Sequence, residues 1–336
     1  MANKKAQKRD IGSRFGQLDE DDIADLERKK DKPNTKKQIQ KSVRLFRKYC
    51  EETLQNKDFE SLSKPDLDKT LRLFYANVRT ETGDYYKKSS LESLKYGLTR
   101  YLRDECDIDM DSDEFKGQED AFKAVKKDLV NRGKGDIEHK QPISRPDLVK
   151  LYTEYTKNHA FDPNTPVGLQ QKVFFEILLY LCRRGRENLR DMNKETFAVT
   201  KDSQGREYVY QARSEEDKNH DSEKITFDST RGEGRMYEVG SDMCPVKSFK
   251  KYVSLLQPDK NELWQTPKRS FLEDDSCWYT KTPLGESMLN SMMTRITKQA
   301  KLSMPYTNHC IRATTITMLD EAGVEARHIM RISGHK

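Results

Sequence analysis

Apolar residues recur every three or four positions from Ile39 onward: Ile39, Val43 and Phe46, then Leu67, Leu71, Phe74 and Val78. The spacing returns at Leu91, Leu94, Leu98 and Tyr101 or Leu102, and again at Phe122, Val125 and Leu129. This is the period of a helix that buries one face. Thr35 with Gln38, and Ser63 with Asp66, have the spacing of a capped first turn, and Ser89 or Ser90 opens the third helix. No strand signal interrupts the series, so residues 34–130 are expected to form a small all-helical domain.

Residues 131–142, NRGKGDIEHKQP, hold Gly133, Gly135 and Pro142 and few apolar side chains, which predicts a linker. Beyond it Ser144 and Asp147 cap a helix containing Leu148, Leu151 and Tyr155. After a loop with Pro163 and Pro166, residues 168–182 are apolar on nearly every side. Val173, Phe174, Ile177, Leu178 and Leu181 make this the expected central helix of a second domain. Residues 196–200 and 208–212 flank Asp202-Ser203-Gln204-Gly205 and read as a hairpin; 225–227 is a further short strand candidate in a polar stretch. Helices are expected again at 245–256, 284–300, 309–322 and 325–332, with Gly323 where a helix end favours a left-handed residue. The predicted fold class is mainly α with a small antiparallel β-sheet, the second domain covering 143–336.

Composition narrows the partners. Residues 1–33 form a flexible charged arm in this reading, basic at Lys4, Lys5, Lys8, Arg9 and Arg14 and acidic over 19–22. The net charge of +6 is mild; it leaves a nucleic-acid partner open if the charge gathers on one face. Hydrophobic residues make up 34% and charged residues 35%, so the cores are modest and the surface is heavily charged. No apolar run approaches the ~18–20 residues that span a bilayer, so no membrane partner is expected. The six cysteines include no C-x-x-C pair, which argues against a zinc finger and a secreted disulfide scaffold and favours reduced thiols in the cytosol or nucleus.

Two places carry candidate chemistry. Around the third helix stand Tyr85, Tyr86, Lys87 and Lys88, with Lys95 and Arg100 on its polar side. Such an edge suits phosphate contacts, and equally suits a solvated helix face. The last 28 residues, HCIRATTITMLDEAGVEARHIMRISGHK, are more specific. His309 and Arg312 form H-x-x-R, and three residues place both on one side of a helix. Gly334-His335 follows, its histidine 26 residues after His309.

This constellation resembles the catalytic box of the tyrosine recombinases, the phage-integrase superfamily. That family also has an arginine box after a buried helix, with a Glu three residues past the arginine. Here LLYLCRRGRENLRDM stands in that place, and aligning Glu187 as the supporting Glu puts the catalytic arginine at Arg184; Arg183 and Arg186 are its neighbours. The pieces NTKK (34–37), CRRGRENLR (182–190), DKNH (217–220), CPVKSFKKYVSLL (244–256), PLGES (283–287) and YTNHCIRATTITML (306–319) are similar to eukaryotic Crypton-type recombinases. They are also similar to the related C-terminal domain of MYM-type zinc-finger proteins. The resemblance covers about residues 20–336. It implies a helical SAM-like core-binding domain followed by an integrase-like catalytic domain, acting on duplex DNA in the nucleus. It also implies a homo-oligomer, a tetramer on two DNA sites, if a C-terminal tail is present.

The roles follow from the same resemblance. Attack on a phosphodiester builds negative charge on its non-bridging oxygens, and Arg184 and Arg312 would donate paired hydrogen bonds to them. His309 would assist proton transfer, and His335 would bond the scissile phosphate or position the nucleophile. A lysine near the hairpin would protonate the leaving oxygen: Lys218, with Lys201 and Lys224 as rivals. No metal or cofactor is called for, because the arginines supply the positive charge. The family's nucleophile is a Tyr on a helix shortly after the Gly-His pair, and the sequence stops at Lys336. Tyr306 precedes the motif and has no matching place. The expectation is therefore a DNA-binding recombinase-like protein that does not cleave as given, and that is a strand transferase if a continuation supplies the Tyr. The competing expectations are a domesticated, inactive DNA- or chromatin-binding protein, and a helical interaction protein with no nucleic-acid role.

Overall fold

The structure, a computed structural model, describes residues 18–23, 33–135, 140–213 and 234–334. It divides into two units, Met1–Glu138 and His139–Lys336.

The described residues of the first unit include four long helices, α1 (Pro33–Leu54), α2 (Lys64–Asn77), α3 (Lys88–Cys106) and α4 (Lys116–Asn131). α1 packs on α3 and α2 on α4. Their apolar stripes meet around Phe46, which lies 4.8 Å from Phe59 and 5.0 Å from Phe74 between ring centroids. Gly97 sits inside α3, where glycine is normally unfavourable. A Cβ there would lie 2.4 Å from Ser42 Oγ on α1, so the close approach of the two helices needs its absence. Ser63 caps α2 by accepting from the Asp66 N–H, as the spacing predicts. The other two starts differ from expectation. α1 opens at Pro33 rather than at Thr35, because proline fits a first helical position. α3 opens at Lys88, ahead of Ser89, since the Lys88 N–H is taken by the Lys134 carbonyl.

The described residues of the second unit are mainly helical with two small antiparallel sheets. Its first helices are α5 (Arg145–Thr153), α6 (Tyr155–Asn158) and α7 (Pro166–Tyr180). Ser144 caps α5 through the Asp147 N–H, but the helix breaks at Glu154, so Tyr155 falls in a separate turn. Pro166, expected in the loop, is instead the first residue of α7, whose Thr165 cap accepts from the Gly168 N–H. From Gly168 to Leu179 every residue of α7 is buried. Lys172 and Glu176 are tolerated there as an i,i+4 pair 2.6 Å apart. Burial raises the Glu176 carboxyl to about 7.

The hairpin is β1 (Phe197–Lys201) and β2 (Glu207–Gln211), with Val199 opposite Val209; β3 (Met236–Tyr237) adds to β2. The strand candidate at 225–227 lies outside the described residues. A second sheet, β4 (Gln265–Pro267) with β5 (Tyr279–Pro283), carries too short and irregular a register to show as alternation in the sequence. Helix α8 (Pro245–Ser254) packs on α7. The helix expected over 284–300 is two, α9 (Glu286–Asn290) and α10 (Met292–Ala300), broken at Ser291. Two more helices, α11 (Asn308–Glu321) and α12 (Ala326–Ser333), follow, and Gly323 between them has φ +75°. α11 packs on both α7 and α12, so the C-terminal elements surround the end of the central helix.

Candidate functional site

The site is built where α7 ends. The Arg183 N–H returns to the Leu178 carbonyl and the Cys182 N–H to the Leu179 carbonyl, while Cys182 takes the left-handed conformation at φ 48°. This is a Schellman ending with cysteine where glycine is usual. A non-glycine residue there costs roughly 1–2 kcal/mol. Asn188, also left-handed at φ 54°, closes the other end of the segment. Between the two bends the chain turns sharply and presents Arg184 and Glu187.

Asn308, the first residue of α11, fixes that turn. Its Nδ2 donates to the Gly185 carbonyl and to the Leu289 carbonyl, both at 2.8 Å, and its Oδ1 accepts from the Met293 N–H at 2.9 Å. One buried side chain thus ties the arginine turn to α9 and α10. The approach is so close that a Cβ on Gly185 would lie 2.7 Å from the Asn308 carbonyl carbon. Only glycine fits there.

Arg184 and Arg312 then reach the same place. Arg184 donates to Glu187 Oε2 at 2.7 Å and to the Gly334 carbonyl at 3.4 Å. Arg312, one turn into α11, donates to the Cys182 carbonyl at 3.3 Å and to the Ser333 carbonyl. Thr315, on the same face, donates to the Leu179 carbonyl at 2.7 Å. The carbonyl ends of α7 and α12 therefore share the two guanidiniums, a placement the helix dipole favours. Neutral carbonyls are weaker acceptors than an anion, and a guanidinium carries five donors in a fixed fork. Two such forks suit a tetrahedral oxyanion.

His309 stands beside them in the first turn of α11, its outer edge open to solvent. Partial desolvation lowers its pKa from the ordinary imidazole value, and the nearby charges of Arg186, Lys140 and Arg312 lower it further. It is therefore a neutral ring at pH 7, able to take a proton.

The other sequence-predicted residues are distributed as follows. Glu187 pairs with Arg184; Arg183 donates to Gln211 on β2, and Arg186 is exposed. Lys201 ends β1 and is exposed, while Lys218, Lys224 and His335 lie outside the described residues. Tyr306 is buried, and its hydroxyl donates to Asp147 Oδ2 at 2.9 Å, a packing role. In the first unit Lys87 is exposed and Lys88 half-buried. Lys95 is bound to Glu119 on α4, and Arg100 pairs with Asp104 at 3.9 Å with its side chain 16% exposed. Both therefore have carboxylate partners within the unit. Sequence reasoning passes over a stripe on α1: Lys37, Lys41, Arg44 and Lys48, all exposed, follow one another at intervals of four, three and four. The spacing that marks the apolar face of α1 marks this one equally well.

Among the described residues no group of three or more His, Cys, Asp or Glu could hold a metal ion, and no helix is long and apolar enough to cross a membrane.

Comparison with known proteins gives three findings. A family model described as a domain of unknown function, DUF3504, matches residues 157–298. The chain is 23% identical over 297 residues to the human "Uncharacterized protein KIAA1958", covering 84% of this chain but 40% of that protein. It therefore spans about two-fifths of the length of the curated relative it matches. Among solved structures, the Tn1549 transposon integrase in complex with transposon right end DNA is similar, with a TM-score of 0.50 and 15% identity. The similarity covers 94% of this chain and 89% of that one. The same integrase with a circular intermediate DNA has a TM-score of 0.47 at 15% identity, over 94% and 89% of the two chains. The fold is like that of the Tn1549 integrase, a helical unit followed by a mainly helical unit with small antiparallel sheets.

Proposed function

We propose that this chain is the DNA-binding and phosphate-activating part of a tyrosine recombinase of the eukaryotic Crypton type, working on duplex DNA in the nucleus. The observation that carries the reading is the meeting of Arg184 and Arg312 at the end of α12, with His309 alongside. A pure scaffold has no need of two guanidiniums oriented on one point with an imidazole in the electrostatic range of one of them. On this reading Arg184 and Arg312 hold the non-bridging oxygens of the scissile phosphate, and Glu187 orients Arg184. His309 takes the proton of the attacking hydroxyl. His335 bonds the phosphate, and Lys218, Lys201 or Lys224 protonates the leaving 5′ oxygen. The attacking hydroxyl forms the bond to phosphorus as the bond to the 5′ oxygen breaks, leaving a 3′-phosphotyrosyl link. Lys87, Lys88 and the α1 stripe grip the duplex backbone. Assembly is on two DNA sites, as a tetramer.

Two measurements test this. Duplex binding by residues 1–336 should weaken steeply as salt rises. Absence of binding would remove every DNA-based reading. The gene product, read through whatever codons follow Lys336, should be trapped covalently on a nicked suicide substrate. Tight duplex binding without a covalent adduct would favour the second reading, a domesticated binder.

A further inference from the structure

We propose that the acidic segment 18–23 docks into a groove on α1 of its own chain and shields the basic stripe. The groove, about 380 Å³, opens between α1 and α3. Its floor is Ile39 and Val43 with the edge of Tyr101, and its rim carries Arg44, Arg47 and Lys48. Arg47 is held by Glu60, and the lining residue Glu51 pairs with Lys57 at 3.0 Å. Arg44 is exposed on the rim beside the likewise exposed Glu51 and Lys48, and Lys48 reaches Glu52 at 3.7 Å.

The occupant has the matching chemistry. Segment 18–23 reads LDEDDI, four carboxylates between two apolar side chains. It is already a helical first turn: the Asp22 N–H donates to Asp19 Oδ1 at 2.9 Å, and the Asp19 N–H to Asp22 Oδ2 at 3.3 Å. Leu18 and Ile23 are 63% and 41% exposed. Nine residues separate Ile23 from Pro33, a reach of up to about 30 Å. The groove lies roughly 9–22 Å along α1 from Pro33 at the helical rise. The docked segment places Asp19, Glu20, Asp21 and Asp22 against Arg44 and Lys48, where DNA phosphates would otherwise sit.

The docking itself does not depend on the proposed function; the competition with DNA rests on it. Zero-length carbodiimide cross-linking of residues 1–336 tests the docking. The expected product is a monomer in which a carboxylate of 19–22 is joined to Lys48 or Lys41, lost in the variant Leu18→Ser/Ile23→Ser. Cross-links spread evenly over all lysines, or formed solely between two copies, would overturn it. The same variant, which changes no charge, should bind duplex DNA several-fold more tightly at low salt. Unchanged affinity despite a specific cross-link overturns the shielding. If wild type and variant both fail to bind DNA, the proposed function falls, and the cross-link still decides the docking.

Discussion

Two groups of positive charge among the described residues are built in opposite ways. On α1, Lys37, Lys41, Arg44 and Lys48 stand out in water along one face of a helix. In the second unit, Arg184 has a side chain 23% exposed and is held by a carboxylate and a main-chain carbonyl, while Arg312 is held by two carbonyls. Ordering the solvated lysines is a cost met at each binding event, and the return is counterion release from DNA. Ordering the arginines is a cost met once, on folding, so they are in place before any ligand arrives. A solvated stripe suits affinity without precision; a fixed pair of forks suits a single reacting phosphate.

The sharpest way to break the contrast is Arg312→Ala in the gene product used for covalent trapping. Loss of one preorganised donor should lower the trapping rate by about 10²–10³-fold. Duplex affinity should stay within about threefold, because phosphates bound elsewhere on the protein set it. Arg312→Lys should not restore the rate, since an ammonium cannot reproduce the fork. Unimpaired trapping in the alanine variant would remove Arg312 from the chemistry.

Next in size is Asn308→Ala, which tests whether the arginine region is preorganised by its surroundings. The substitution strands the Gly185 and Leu289 carbonyls and the Met293 N–H. It should cost about 3 kcal/mol, lowering Tm by roughly 6–12 °C for a domain of this size. Lys41→Ala on α1 should change stability by less than about 0.5 kcal/mol. Equal effects from the two would mean that the arginine turn is no more tightly built than the stripe.

These residues also mark how far the sequence can be read. Ser63 and Ser144 are legible as caps because each bonds an N–H three residues away. The H-x-x-R pair is legible for the same reason, since one turn of α11 relates His309 to Arg312. Asn308 gives no such sign: its partners lie 15, 19 and 123 residues away. The break at Ser291 and the β4–β5 sheet escape notice because they too are set by distant partners, such as the Trp264 carbonyl that accepts from the Leu284 N–H. The α1 stripe is a different case. Its spacing is in the sequence, but attention to the buried face of a helix passes over the opposite one.

A smaller effect is expected from the stripe itself. Replacing Lys37, Lys41, Arg44 and Lys48 by glutamine should reduce the slope of log affinity against log salt by about 0.9 for each phosphate left without its cation, and so by three to four in all. Arg184→Gln and Arg312→Gln should reduce that slope by no more than about 0.9, since the two share one phosphate. If the arginine variants flatten the slope as much as the stripe variants do, the division between affinity and chemistry is wrong.

The finest test is the titration of His309, followed by its ring proton signals. Desolvation comes first among the causes that lower its pKa, followed by Arg186, Lys140 and Arg312, so the free protein should titrate below the free imidazole value near 6.5. The sign of the linkage is fixed by that direction. The unfolded chain binds the proton more readily, so the stability contribution is complete above the unfolded pKa and is lost as pH falls through the folded one. Arg186→Gln removes one repelling charge and should raise the midpoint. Duplex DNA should raise it further, because a phosphate between Arg184 and Arg312 offsets the very charges that depress it. A midpoint that responds to Arg186→Gln but not to DNA would place the phosphate away from His309, and the two guanidiniums would then be holding α12 rather than waiting for a substrate.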